Sequence, residues 1–283
     1  MYRTISEIGR KFISTESEWN PKVLVGRAVA ALLPKSAFHE VEKAYYAYLL
    51  GHLPEDWQER DTALVRHLVG PGDGVVDIGA SIGGYTKFLS ALVGASGHVY
   101  GFEPNPPIYD CLAHNVKKLK LQNVEIRNCA LSDTKGSASI AIPRYRWGSE
   151  CHYDATLEAT RASPGCRQVV VNVDTLDSFF ADYRETISFI KCDVNYHELP
   201  CLRGGLQTIG RHKPAMLIEI LRNPDKPDNP AAHVFELFRQ NGYDGYWFDG
   251  KALRKRQHGE RSQNYFFLTP EHFAKLSSRI PVL

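Results

Sequence analysis

The chain has 283 residues, of which 43% are hydrophobic, with 34 basic against 32 acidic side chains and a formal charge of +2. That apolar share supports a substantial core, and the near-balance of charge argues against a dedicated nucleic-acid binder, whose basic residues would form a stripe. The six cysteines, at 111, 129, 151, 166, 192 and 201, make neither a CxxC pair nor a zinc spacing. They read as reduced thiols in a cytoplasmic protein.

MYRTISEIGRKFISTESEW, at the start, has no apolar core of the secretory type. VLVGRAVAALL (23–33) is too short to span a bilayer and is interrupted by Arg27. Residues 1–55 are expected to form a helical extension and 56–283 the main domain. Helical spacing marks 39–51 and 55–69. After PGDG the period changes, and GVVDIGA (74–80) reads as a short buried strand. A helix over 83–94, a strand over 98–104, a helix over 106–121 and a third strand over 124–131 follow.

Two runs of β character, 137–144 and 167–176, flank an irregular loop. A strand over 187–194, a helix over 198–210, a strand over 214–220 and a helix over 231–242 come next. DGYWFDG and NYFFLTP are expected to form a hairpin around the basic run KALRKRQHGER (251–261), read as a solvated tip ahead of an anionic-ligand site. Strands alternating with helices imply an α/β fold, a doubly wound and mostly parallel sheet. Ligands in such sheets bind beyond the carboxyl ends of the strands, near the switch point.

The chemistry-bearing residues all fall at such ends. VVDIGASIGGYT (75–86) places Gly79, Gly83 and Gly84 between a strand and a helix, where a backbone can turn tightly beside a ligand. Glu103 ends the second strand in GFEPN, where a carboxylate can accept from both hydroxyls of a ribose. NAD and S-adenosylmethionine (SAM) are the two cofactors that fit a strand, a glycine turn, a strand and an acid. The register Gly79-Ala-Ser-Ile-Gly83-Gly84 misses the G-x-G-x-x-G that a pyrophosphate needs, and no Tyr-x-x-x-Lys pair is present, so SAM fits better.

In order and spacing, VVDIGASIGGYT, GFEPNPPIYDCLAHN, NCALSD, IKCDVNYHELPCLRGG and LIEI resemble the FkbM-type methyltransferases over residues 70–221. The resemblance implies the class I methyltransferase fold, a Rossmann-like sheet of seven strands with the last antiparallel. It also implies SAM as cofactor and O-methylation of a sugar or polyketide hydroxyl. Carried over by position, Asp77, Gly79, Ala80, Ser81 and Gly83, with Tyr85 on the same turn, would line the methionine and ribose side. Glu103 would hold the ribose, and Ala130, Leu131 and Ser132 would border the adenine. The NPPIY at 105–109 is expected to start a helix.

Transfer to a hydroxyl needs alignment and a base. Asp193 and His197 are the candidate catalytic residues, His197 as base because imidazole titrates near ~6.5. The family pattern Asp-Val-Glu-Gly-His-Glu reads here Asp193-Val-Asn195-Tyr196-His197-Glu198. Asn195 and Tyr196 thus reshape the acceptor pocket or impair catalysis. Glu219, ending LIEI, is expected to face the same crevice, and with Asp193 it supplies too few hard ligands to settle whether a divalent metal takes part. Arg144 and Trp147, in the loop IPRYRWGSECHYDAT (142–156), are candidate acceptor contacts of a lid; the alternative is a surface excursion.

The leading reading is a SAM-dependent O-methyltransferase acting on a small-molecule or glycan hydroxyl, with no nucleic-acid partner and a homodimer left open. Its rival is a SAM-binding scaffold or sensor that has lost catalysis. A nicotinamide dehydrogenase ranks last.

Overall fold

The computed structural model describes residues 33–52, 60–143, 155–157 and 165–282. Eleven strands occur among these: β1 (Gly74–Ile78), β2 (His98–Phe102), β3 (Val124–Arg127), β4 (Ala130–Leu131), β5 (Gly136–Ile142), β6 (Arg167–Asp174), β7 (Ile187–Cys192), β8 (Ala215–Glu219), β9 (Asp244–Phe248), β10 (Leu253–Lys255) and β11 (Asn264–Leu268). Eight form one sheet in the order β3-β2-β1-β7-β8-β11-β9-β10. β1, β2, β3, β7 and β8 run parallel, whereas β11 is antiparallel to both β8 and β9. The class I methyltransferase sheet of seven strands is therefore present, widened by β10, a three-residue edge strand antiparallel to β9.

Strands β1 and β7 are buried on both faces, which is why they read as unbroken apolar runs rather than alternating ones. Their side chains divide between two cores. Val76, Ile190 and Ile218 pack with Phe238 and Leu202 on one face; Val75, Phe189 and Leu217 pack with Leu89 and Phe266 on the other. Register then decides what meets at the carboxyl end. Ile78 stands beside Phe102 in β2 and Cys192 in β7, and Cys192 stands beside Ile218 in β8. Gly79, Glu103, Asp193 and Glu219 consequently leave four neighbouring strands at one level, around the switch point between β1 and β7.

The two β-rich runs form a second sheet, β4-β6-β5, around Ala130, Ile140, Ile142 and Val171. The strand expected over 124–131 breaks at Asn128, whose amide donates to the carbonyls of Glu103 (2.8 Å) and Pro104 (3.1 Å); β4 beyond it joins the second sheet. A single helix over 198–210 is likewise two, Glu198–Arg203 and Leu206–His212. The Gly204-Gly205 break fits a close approach: a Cβ at Gly204 would stand 1.9 Å from the Ser132 carbonyl oxygen. The basic run is no bare hairpin tip, because Leu253–Lys255 is β10. Helix Pro270–Ser277, capped by Thr269 and His272, was not anticipated.

Helix Lys35–His52 rests on helix Pro106–Lys118, with His39 and Lys43 pairing Asp110 at 2.8 and 3.1 Å. No helix among the described residues is long and apolar enough to cross a membrane. Cys111, Cys129, Cys166, Cys192 and Cys201 are free thiols; Cys151 lies outside the described residues.

Candidate active site

The turn after β1 is built by close backbone approach. Gly79 has φ 78°, and a Cβ there would fall 1.8 Å from the Asp193 carbonyl oxygen, so the end of β7 admits only glycine. The N–H groups of Gly79 and Ala80 both donate to the Phe102 carbonyl at 2.9 Å. Ser81 follows at φ 52° and donates its N–H to Glu103 Oε2 (2.9 Å). Gly83, at φ 95°, opens helix Gly84–Val93, and a Cβ on it would meet Leu112 at 2.8 Å. The turn is thereby tied to β2 and β7 at once.

Glu103 is buried, and its two oxygens divide the work: Oε2 takes the Ser81 N–H and Oε1 the Asn105 N–H (2.9 Å). Burial nevertheless pushes its carboxyl up to about 7, the two N–H donors offsetting only part of the desolvation. Each oxygen keeps a second lone pair for a ligand hydroxyl. Asn105 starts helix Pro106–Lys118 at the N-cap position, as expected, but without a side-chain capping bond.

Beneath the turn lies a buried charge cluster. Asp77 is fully buried, accepts the Thr86 hydroxyl at 2.7 Å, and has its carboxyl raised by burial, against the partial offset of Lys191 and Thr86. Lys191 Nζ stands 3.2 Å from Asp193 Oδ2 and 5.0 Å above the Tyr85 ring. Spaced two apart, Lys191 and Asp193 share a face of the extended chain, and the ion pair offsets the cost of burying the ammonium.

Asp193, Val194, Asn195, Tyr196 and His197 then form a tight turn. Asn195 (φ 48°) and Tyr196 (φ 78°) are both left-handed, so Tyr196 holds the strained geometry that the family's glycine adopts freely. Its ring faces the Arg222 guanidinium at 5.2 Å. The Tyr196 N–H donates to Glu198 Oε1 at 2.7 Å, and burial raises the Glu198 carboxyl to about 7. His197 caps helix Glu198–Arg203, and its Nε2 shares a 2.9 Å hydrogen bond with Ser132 Oγ.

These parts enclose a cleft of about 860 Å³, its open mouth included. Of the residues singled out in the sequence, Gly79, Ser81, Glu103, Ala130, Leu131, Asp193, Asn195 and His197 line it. Asp77, Ala80, Gly83 and Tyr85 are buried and do not line it, and Ser132 is joined to it through His197. Tyr196 and Glu219 are not among its lining residues; Glu219 ends β8 opposite Asn264. Arg144 and Trp147 lie outside the described residues. Among the described residues no group of three or more His, Cys, Asp or Glu could hold a metal ion.

Sequence reasoning missed Lys191, Asn128 and Leu157; Ala155 and Thr156, which line the cleft beside Leu157, lie within the loop 142–156 singled out as a candidate lid. A lysine two places before Asp193 in an apolar strand was a readable signal. Nothing in Leu157 itself marked it.

The family described as methyltransferase FkbM domain matches residues 77–244, more than half of the chain. Among solved structures, methyltransferase FkbM from Methylobacillus flagellatus is 16% identical with a TM-score of 0.44, over 69% of this chain and 43% of that one. An rRNA methylase from Streptococcus thermophilus is 12% identical with a TM-score of 0.42, over 73% and 91%. Fibrillarin from Aeropyrum pernix, solved with natively bound S-adenosyl-L-methionine, is 14% identical with a TM-score of 0.41, over 73% and 71%. No curated protein sequence matches. The chain thus spans less than half the length of the FkbM structure, but most of the rRNA methylase.

Proposed function

This chain belongs to the FkbM methyltransferase family, and on that premise we propose that it transfers a methyl group from SAM to a hydroxyl of a glycan or secondary metabolite. The observation that carries the reading is the single cleft that joins the Glu103 carboxylate to Asp193 and His197.

The donor set suits an adenosyl group. Glu103 offers its remaining lone pairs to two ribose hydroxyls, while Ile108, Leu131, Ile140 and Leu157 give apolar walls for a flat base. Gly79 and Ser81 line the cleft at the turn, beside which the methionine portion would lie. SAM, when bound, supplies a methyl carbon made electrophilic by its sulfonium. Asp193, held by Lys191, fixes charge at the end of β7. His197, held through Nε2 by Ser132, removes the acceptor hydroxyl's proton as the carbon–oxygen bond forms.

Purified protein incubated with SAM and hydroxylated acceptors should release the demethylated cofactor, S-adenosylhomocysteine (SAH), in step with methylated product. SAH binding without turnover on any acceptor would favour the second reading, a binding protein with altered catalysis. The strained Tyr196 at a glycine position is the observation that speaks for that alternative. Restoring Glu and Gly at 195 and 196 would then recover turnover.

A further inference from the structure

The departure from the family pattern at position 195 is put to use. Asn195 Nδ2 donates to the Ala155 carbonyl at 3.1 Å, and Thr156 Oγ1 donates to the Asn195 carbonyl at 2.6 Å. An ionised glutamate, the family's usual residue there, has no hydrogen to give and would set negative charge against the Ala155 carbonyl dipole. Asparagine also accepts the left-handed φ of 48° more readily than glutamate does. On its other side the same segment is pinned to β5, because Ala141 and Thr156 exchange both backbone hydrogen bonds at 2.8 and 3.1 Å. Ala155, Thr156 and Leu157 line the cleft together with Glu103 and Asp193. They form a wall held from two sides, and one of the two holds is an amide that the family pattern lacks.

We infer that Asn195 is a positioning residue: it latches the wall 155–157 across the donor cleft and so sets how long a bound nucleoside stays. Its ligand rests on the donor reading given above, whereas the latch rests on the two hydrogen bonds alone. Opening breaks the Asn195–Ala155 and Thr156–Asn195 bonds together and loosens the bridge to β5, freeing the Thr156 N–H that this bridge protects. Asn195 then acts on ligand release rather than on the acceptor, and its amide has a role that a carboxylate of the same size cannot fill.

The test uses the full chain with two near-isosteric changes, Asn195→Asp and Thr156→Val, singly and together. Hydrogen–deuterium exchange is read on the peptide spanning 155–157, and SAH release is read by stopped-flow dilution. Each single change should raise exchange in that peptide and the SAH release rate by roughly tenfold, the loss of about one hydrogen bond. Exchange in β1 and β7 and the SAH association rate should hold. The double change should fall well short of the product of the two, because both open the same latch.

Unchanged exchange at 155–157 overturns the latch. Faster exchange with unaltered SAH release overturns its role in the cleft, and so does a fully multiplicative double variant. Wild-type protein that ignores SAH would sink the donor reading, and exchange would still decide the latch. If Asn195→Asp does not fold, Thr156→Val carries both measurements.

Discussion

Glu103→Gln tests the electrostatics of the cleft by a difference that cancels its own side effects. Glu103 is buried and its carboxyl is raised from 4.5 to about 7. A raised folded-state value means that the folded protein holds this proton over a range where the unfolded chain has lost it. The contribution to stability is complete below pH 4.5 and is lost as pH rises through about 7. Between pH 5 and pH 8 the wild type should lose roughly 2–3 kcal/mol from this group, taking about 1.4 kcal/mol per pH unit of mismatch. Glutamine carries no such proton. It does put an NH₂ against one of the two N–H donors, Ser81 or Asn105, which costs about 1–3 kcal/mol at every pH. That constant cost drops out when the two urea-unfolding series are compared across pH. The variant should be less stable than the wild type at pH 5 and should close the gap by roughly 2–3 kcal/mol at pH 8. Parallel pH profiles would refute the burial argument.

Gly79→Ala should be severe, upwards of about 3 kcal/mol or a failure to fold, since its Cβ would meet the Asp193 carbonyl at 1.8 Å on a left-handed backbone; thermal melting reads it directly. Tyr196→Gly should be more stable than Tyr196→Ala by about 1 kcal/mol in urea unfolding, because both lose the ring facing Arg222 and only glycine is at ease at φ 78°. Equal stabilities would mean that the strain at 196 is not felt. His197→Ala should lower kcat by about 10²–10⁴-fold while SAH affinity changes by no more than a few-fold; kinetics and calorimetry together separate the two.

Much of the sheet was legible because the strands of a parallel sheet are buried on both faces and announce themselves as apolar runs between glycines and helices. The same logic placed Gly79, Glu103 and Asp193 at strand ends, and register then brought them level. What escaped the sequence has a common cause: contacts between segments far apart in the chain. The helix expected over 198–210 breaks at Gly204-Gly205, where Ser132 crowds the backbone. Strand 124–131 breaks because the Asn128 amide is drawn to Glu103 and Pro104. Residues 155–157 join the cleft through Asn195 and Ala141 and through packing of Ala155 and Leu157 on the core around Ile140 and Val171. Glu219 ended the right strand, yet the cleft lies over the other side of Asp193, so position along a strand did not tell which cavity it would meet.

The central claim is that the Glu103 carboxylate grips the ribose of an adenosyl ligand in this cleft. Calorimetric titration of SAH at pH 8, where Glu103 is ionised, tests it in one comparison of wild type with Glu103→Ala. The account predicts binding by the wild type and a loss of about 2–3 kcal/mol, some 30- to 160-fold in Kd, in the variant. Equal affinities, or a wild type that takes up no SAH, would contradict it.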